Sequence, residues 1–87
     1  MHELSLMADL MRKIDSVARQ QEATRVSSVR VRLGVLCHIS PEHFRDHFIR
    51  ASRGTLAEGA DLALEVTSDT ADPHAQDVYL ESLTVDQ

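Results

Sequence analysis

The first residues of the chain carry nitrogen donors that could hold a metal ion. The sequence opens with Met1, His2 and Glu3. The terminal amine, the second backbone nitrogen and the imidazole can reach one ion through small fused chelate rings. Copper(II) and nickel(II) lead the divalent affinity order, and both accept square-planar nitrogen sites. We therefore predict a nickel or copper site here, with a fourth ligand from the Glu3 amide or from elsewhere in the chain.

Three further histidines are weaker candidates for metal ligands. His43 and His47 are four residues apart, so both face the same side of a helix, and two such imidazoles can bind a metal. The zinc-hydrolase motif HExxH is not completed, because the segment HFRDH has its acid at Asp46 and not directly after the first histidine. The alternative interpretation is a packed or half-exposed pair beside the apolar stripe of that helix. His74, in a polar segment, is a candidate for a late nickel ligand.

The sequence contains no combination of residues that is typical of an enzyme. Cys37 is the single cysteine, which excludes an intramolecular disulfide and a Cys-x-x-Cys metal site. Cys37 and His38 are adjacent on a predicted strand and point to opposite faces, which argues against a nucleophilic dyad. A Gly-rich phosphate loop and a paired-carboxylate arrangement are both missing. We therefore expect a non-enzymatic protein in which Cys37 is a buried thiol.

Two helices are predicted to position these residues. Apolar residues spaced three and four apart indicate an amphipathic helix over Leu4–Gln21. A second helix has a clear start, because Ser40 can act as its N-cap and Pro41 fits its first position. This helix is expected to end near Arg53, where a glycine follows.

Three strands complete the predicted fold. Apolar residues alternate with polar ones at 29–35, at 62–67 and at 78–85. The last segment has apolar residues on both faces, so its pattern alone does not orient it. The order αβαββ predicts an α+β domain in which two helices cover one face of a three-stranded sheet. The second and third strands are most simply an antiparallel hairpin.

Composition and charge narrow the classes of partner. The chain has 87 residues, an apolar content of 43% and a formal charge of −5, which suggests one acidic domain. Arg25, Arg30 and Arg32 lie close together, but we interpret them as the solvent face of a strand and expect no nucleic-acid binding. No stretch is apolar enough for a membrane span, and no signal peptide is visible, so we expect a cytoplasmic protein without a membrane partner.

Several longer segments resemble the HypA/HybF family of hydrogenase-maturation nickel chaperones. The segments, in family order, are MHELSLMADLM, RVRLGVLCHISPEHF and RGTLAEGADLALE, and the likeness resumes at YLESLTVDQ. In that family the MHE start is the nickel site, which implies Met1, His2 and Glu3 as nickel ligands here. The resemblance also implies nickel delivery, with a maturation GTPase, to the large subunit of [NiFe]-hydrogenase, or to urease in some organisms.

The resemblance departs from the family pattern between the last two strands. The family has a zinc domain there, held by two Cys-x-x-Cys pairs, whereas this chain has TSDTADPHAQD at residues 67–77. We therefore expect a single nickel-binding domain over residues 1–87 without structural zinc. Alternatives stay open: a relative that acts as a scaffold or regulator of hydrogenase assembly without carrying metal, or adventitious copper binding. An edge strand and a long polar loop would permit a homodimer.

Overall fold

A computed structural model of the chain describes residues 3–34, 39–68, 70, 71 and 78–87. Two helices and a three-stranded mixed sheet form the α+β fold that the sequence predicts. In chain order the elements are α1 (Glu3–Gln20), β1 (Arg25–Leu33), α2 (Pro41–Ser52), β2 (Asp61–Val66) and β3 (Val78–Asp86). Neither helix in these ranges is long and apolar enough to cross a membrane.

Each helix buries one stripe of side chains against the sheet. In α1 the buried residues follow the three- and four-residue spacing of an amphipathic helix, and they are Met7, Leu10, Ile14 and Ala18. In α2, Phe44 and Phe48 are both 1% exposed and are the largest fully buried side chains. The capping prediction is confirmed, because the Ser40 hydroxyl accepts a hydrogen bond of 3.1 Å from the His43 amide. Pro41 occupies the first turn, and Arg53 ends the helix.

The strand order differs from the predicted one. The sheet has the order β2-β1-β3, with β1 parallel to β2 and antiparallel to β3. A β2–β3 hairpin is therefore wrong. Strand β1 is the most buried of the three, because Val26, Val29, Val31 and Leu33 are all in the core, and the central position of the sheet buries these side chains best. The α2 crossover then sets β2 parallel to β1, and β3 lies at the opposite edge of the sheet, roughly 10 Å from β2 at two strand spacings.

A β-bulge in β3 explains why the sequence pattern could not orient that strand. Arg30 pairs with Ser82 and Val31 pairs with Leu80, so Glu81 is an extra residue between the two pairs. One extra residue reverses the alternation of side chains beyond it. All four apolar residues that contact the core therefore lie on one face, and they are Val78, Leu80, Leu83 and Val85.

A second bulge moves the start of β1. Ser27 is the extra residue there, because Val26 pairs with Val85 and Ser28 pairs with Thr84. Val26 and Val29 are three positions apart, a spacing that places side chains on opposite faces of a regular strand. Because of the bulge, both face the core. The strand therefore begins at Arg25, four residues before the predicted start.

Candidate metal centre

The predicted terminal donors stand directly before α1. The helix begins at Glu3, so Met1 and His2 precede its first residue. Both lie outside the described residues, and so does the side chain of Glu3. The first four amides of a helix have no intrahelical acceptor. A metal ion that takes the backbone nitrogen of Glu3 therefore costs α1 no hydrogen bond, and the start of this helix is compatible with a terminal chelate.

The two helices run in the same direction across the sheet. Met7 of α1 lies beside His47 of α2, and both line one groove. Further along, Met11 and Ile14 lie beside Leu56, just after the end of α2. The contacts follow the same order along both helices, so the two helices are parallel. The start of α1 and the start of α2 are therefore at the same end of the molecule, which we name the donor end.

Backbone hydrogen bonds mark the opposite end. The amide of Thr24, after α1, donates to the carbonyl of Asp86 at 2.8 Å, and the amide of Val26 donates to the carbonyl of Leu56 at 2.8 Å. The end of α1, the start of β1 and the end of β3 therefore meet there. It follows that the end of β1, the end of β2 and the start of β3 lie at the donor end. His38 and His74, in the segments that join these elements, lie outside the described residues, as does Cys37.

The structure brings His43 and His47 together on α2. Their ring centroids are 6.1 Å apart, and the ring planes are tilted by 34°. His43 is exposed and His47 is half-buried. Across residues 3–34, 39–68, 70, 71 and 78–87, no group of three or more histidine, cysteine or acidic side chains could hold a metal. The pair thus supplies two imidazoles at helical spacing, and its metal binding stays a prediction.

A groove between the helices adjoins this pair. It has a volume of about 330 Å³ and is open to solvent on one side. The residues that line it are Met7, Ala8, His47, Arg50 and Ala51. His47 therefore has one edge toward an apolar floor and lies one helical turn from the cation of Arg50. Periodicity places His47 on the apolar side of α2, but only the packing of the helices shows the groove.

The solvent face of the sheet carries an ion-pair cluster rather than a second donor set. The Arg32 guanidinium lies 2.9 Å from a Glu81 carboxylate oxygen and 3.7 Å from Glu65, and it stands over the Tyr79 ring at 5.7 Å from the centroid. Partial desolvation lowers the pKa of Arg32, but the two carboxylates outweigh it and hold the pKa above its ordinary value. Its positive charge is thus matched within the sheet by these two carboxylates.

Comparison with known protein families gives a match over residues 1–75. The matching family is described as hydrogenase/urease nickel incorporation, metallochaperone, hypA. The chain is 41% identical over 66 residues to a hydrogenase maturation factor HypA from Methylocella silvestris. It is 44% identical over 66 residues to a protein of the same name from Archaeoglobus fulgidus. Each alignment covers 76% of this chain.

The alignments show how much of each relative this chain matches, and a solved structure shows a similar fold. The matched region spans 58% and 60% of those two relatives, so the chain corresponds to little more than half of their length. The solution structure of the Ni metallochaperone HypA from Helicobacter pylori superposes with a TM-score of 0.83 at 16% identity. That superposition covers 99% of this chain and 98% of the solved one. At this identity the structural match supports the fold alone.

Proposed function

Because the chain belongs to the HypA family of nickel-incorporation metallochaperones, we propose that it carries nickel for the maturation of a [NiFe]-hydrogenase. The nickel ion would be held by Met1, His2 and Glu3. The family match carries this proposal, because it begins at the first residue and runs to residue 75. The start of α1 at Glu3 supports it, since Met1 and His2 then precede the helix in the chain and the amide of Glu3 has no acceptor within it.

The chemistry of such a carrier is ligand exchange and not catalysis. An amine, an imidazole and backbone nitrogens suit nickel(II) in a square-planar arrangement. Because these donors come from consecutive residues, the ion can be taken up and released without opening the core of the fold. A recipient site with more or better-placed donors would remove the ion one ligand at a time. Release thus requires no large conformational change in α1 or α2.

Partners and context belong to the same proposal. We propose that delivery takes place in the cytoplasm, with the hydrogenase large subunit as the recipient of nickel and a maturation GTPase as a partner protein. We also propose that residues 1–87 act as one nickel-binding domain without structural zinc, with residues 67–77 at the place of the family's zinc domain. Dimerisation through an edge strand stays a prediction, and β2 and β3 are the two edge strands of the sheet.

The substitution His2→Ala tests the carrier function. We expect untagged wild-type protein to bind nickel in a calorimetric titration and His2→Ala to lose the tight binding event. His38→Ala is a matched control, because it also removes an imidazole, at a position that belongs to no proposed ligand set. In cells that lack their own copy of the protein, His2→Ala should fail to restore hydrogenase activity while His38→Ala restores it.

The same pair of variants separates carrier from scaffold. A scaffold needs the fold but not the terminal imidazole, so His2→Ala would then support hydrogenase maturation as well as wild type does. Tight binding of copper with no effect of His2→Ala on maturation would indicate the adventitious site instead. Nickel binding that is unchanged in His2→Ala would contradict the proposed ligand set.

A further inference from the structure

We propose that His43 and His47 form a second Ni²⁺ site on α2, separate from the terminal donors. The choice of nickel rests on the proposed function, whereas the donor pair rests on the geometry of the helix. The two imidazoles are one helical turn apart, and their centroids are separated by 6.1 Å. Such a pair is preformed only when α2 is folded.

The ring separation is compatible with a shared ion. An ion about 2.1 Å from a ring nitrogen lies roughly 3 Å from the centre of that ring. Two rings whose nitrogens approach one ion from opposite sides therefore have centres roughly 6 Å apart, close to the observed 6.1 Å. Small rotations about the side-chain torsions bring the rings to the closer spacing of two neighbouring ligands. His43 is exposed and has room for this movement.

The surroundings predict a weak and exchangeable site. No third protein ligand joins the pair among the residues described, so water would fill the remaining positions of an octahedral nickel ion. Glu42 and Asp46 add negative charge to this part of α2, but Arg50 and the positive end of the helix dipole oppose a bound cation. We therefore expect the second site to bind nickel less tightly than the terminal chelate.

The second site lies close to the first turns of α1. His47 borders the groove beside Met7 and Ala8, and Met7 is about 6 Å along the helix axis from Glu3 at 1.5 Å per residue. The α2 pair thus lies near the start of α1, the element that directly follows the proposed terminal donors in the chain. An ion released by those donors could be rebound by the pair without crossing the molecule.

Titration of the untagged full chain with Ni²⁺ tests the proposal. We expect two binding events in wild type, of which His43→Gln with His47→Gln loses only the weaker one. The single variant His43→Gln, at an exposed position, should weaken that event by more than about tenfold, the lower limit of what loss of a ligand's hydrogen-bonding partner costs a metal site. Circular dichroism of each variant verifies that α2 is intact.

A spacing variant keeps the number of imidazoles constant. Glu42→His with His43→Gln leaves two histidines on α2 but separates them by five residues, which places them on different faces of the helix. We expect this variant to lose the weaker event as well. Paramagnetic broadening of the α2 amides by Ni²⁺ in His2→Ala protein gives an independent readout of the same site.

The outcomes distinguish this proposal from the carrier function. A weaker event that survives in the double variant, or a single event that His2→Ala removes completely, overturns the second site. Conversely, absence of the tight event with retention of the weaker one overturns the terminal site and leaves the second site standing. Equal nickel binding by the spacing variant and by wild type would also overturn the second site, because that site requires the four-residue spacing of the two histidines.

Discussion

At the scale of single residues, the terminal donors are special because they combine a charge-bearing amine with an adjacent imidazole. In model peptides the imidazole takes up its proton at about pH 6.5 and the α-amine at about pH 8. Metal and proton therefore compete for the same lone pairs, as they do in any nitrogen-donor site. No other pair of consecutive residues in the sequence offers an amine and an imidazole together.

We predict that nickel affinity falls as the pH is lowered. Lowering the pH protonates the amine and the imidazole of the free protein, so each bound ion must displace more protons. Between about pH 8 and about pH 6 the affinity should fall by at least about tenfold. Calorimetry at the two pH values, with the weaker event removed by His43→Gln and His47→Gln, measures this change. Equal affinity at both values would contradict nitrogen donors at the terminus.

Arg32 shows the opposite behaviour, since its charge does not change near neutral pH. The pKa of this guanidinium is raised above its ordinary value by Glu65 and Glu81, after the lowering effect of desolvation. A raised pKa of a base gives a contribution to stability that is lost only as the pH rises through that value. The loss therefore falls in strongly alkaline solution. Any pH dependence near neutrality must come from other groups.

At the scale of elements, the start of α2 depends on a single side chain. The Ser40 hydroxyl accepts a hydrogen bond from the amide of His43, and that amide otherwise has no partner within the helix. We predict that Ser40→Ala lowers the free energy of unfolding by about 1 kcal/mol. Urea denaturation measures the loss, and Ser40→Asn should restore most of it because it keeps an acceptor at the cap. Equal loss in both variants would indicate a packing role for Ser40.

The β3 bulge is the second element whose role can be tested. Deletion of Glu81 removes the extra residue and shifts one part of the strand by one position, which turns its inward side chains to solvent. Leu83 and Val85 are half-buried, so loss of their burial costs less than the roughly 3–6 kcal/mol of two fully buried side chains, but it remains a large share of the stability of a small domain. We therefore predict that the deletion variant does not fold cooperatively.

A substitution at the same position is the control for this deletion. Glu81→Gln keeps the bulge and removes only the charge that faces Arg32 at 2.9 Å. The pair is partly exposed, so its loss should lower the melting temperature only slightly. Thermal melts followed by circular dichroism compare the two variants. A deletion variant as stable as Glu81→Gln would show that β3 can slip without cost.

The elements also show where sequence reasoning succeeds and where it fails. Helix starts depend on neighbouring residues, so Ser40 and Pro41 located α2 correctly. Strand order depends on which strand takes the central position of the sheet, and the local sequence pattern of a strand does not show this. The bulges at Ser27 and Glu81 shift the alternation of inward and outward side chains by one residue. Both residues are polar, so in the sequence they look like ordinary solvent-facing positions of a strand. A hairpin between β2 and β3 was therefore the simplest expectation and still wrong.

The same distinction applies to the candidate site. The family resemblance is confirmed by the match over residues 1–75, and the helical spacing of His43 and His47 is confirmed by their contact. The common direction of α1 and α2, and the groove between them, follow from tertiary packing and not from either helix alone. Sequence reasoning thus named the candidate donors, whose role as ligands stays a prediction, but it did not show that α1 and α2 begin at the same end of the molecule.

At the scale of the whole molecule, the two proposed nickel sites differ in how they depend on the fold. The domain is small, and a stability of about 5–10 kcal/mol is typical for such a chain. Met1, His2 and Glu3 are consecutive, so their chelate can form in the unfolded chain as well as in the folded one. His43 and His47 are held one turn apart only by α2. Ligands stabilise a fold only when they bind the native state more tightly than the unfolded state.

We therefore predict that nickel raises the stability of the protein through the α2 pair and not through the terminus. At a free nickel concentration of about 100 times the dissociation constant of the weaker site, the free energy of unfolding should rise by about 2.7 kcal/mol. His2→Ala should keep this increase, whereas His43→Gln with His47→Gln should lose it. Urea denaturation with and without nickel measures the difference. An increase that depends on His2 and persists without the α2 pair would mean that the terminal chelate is completed by the fold, through a ligand from another element.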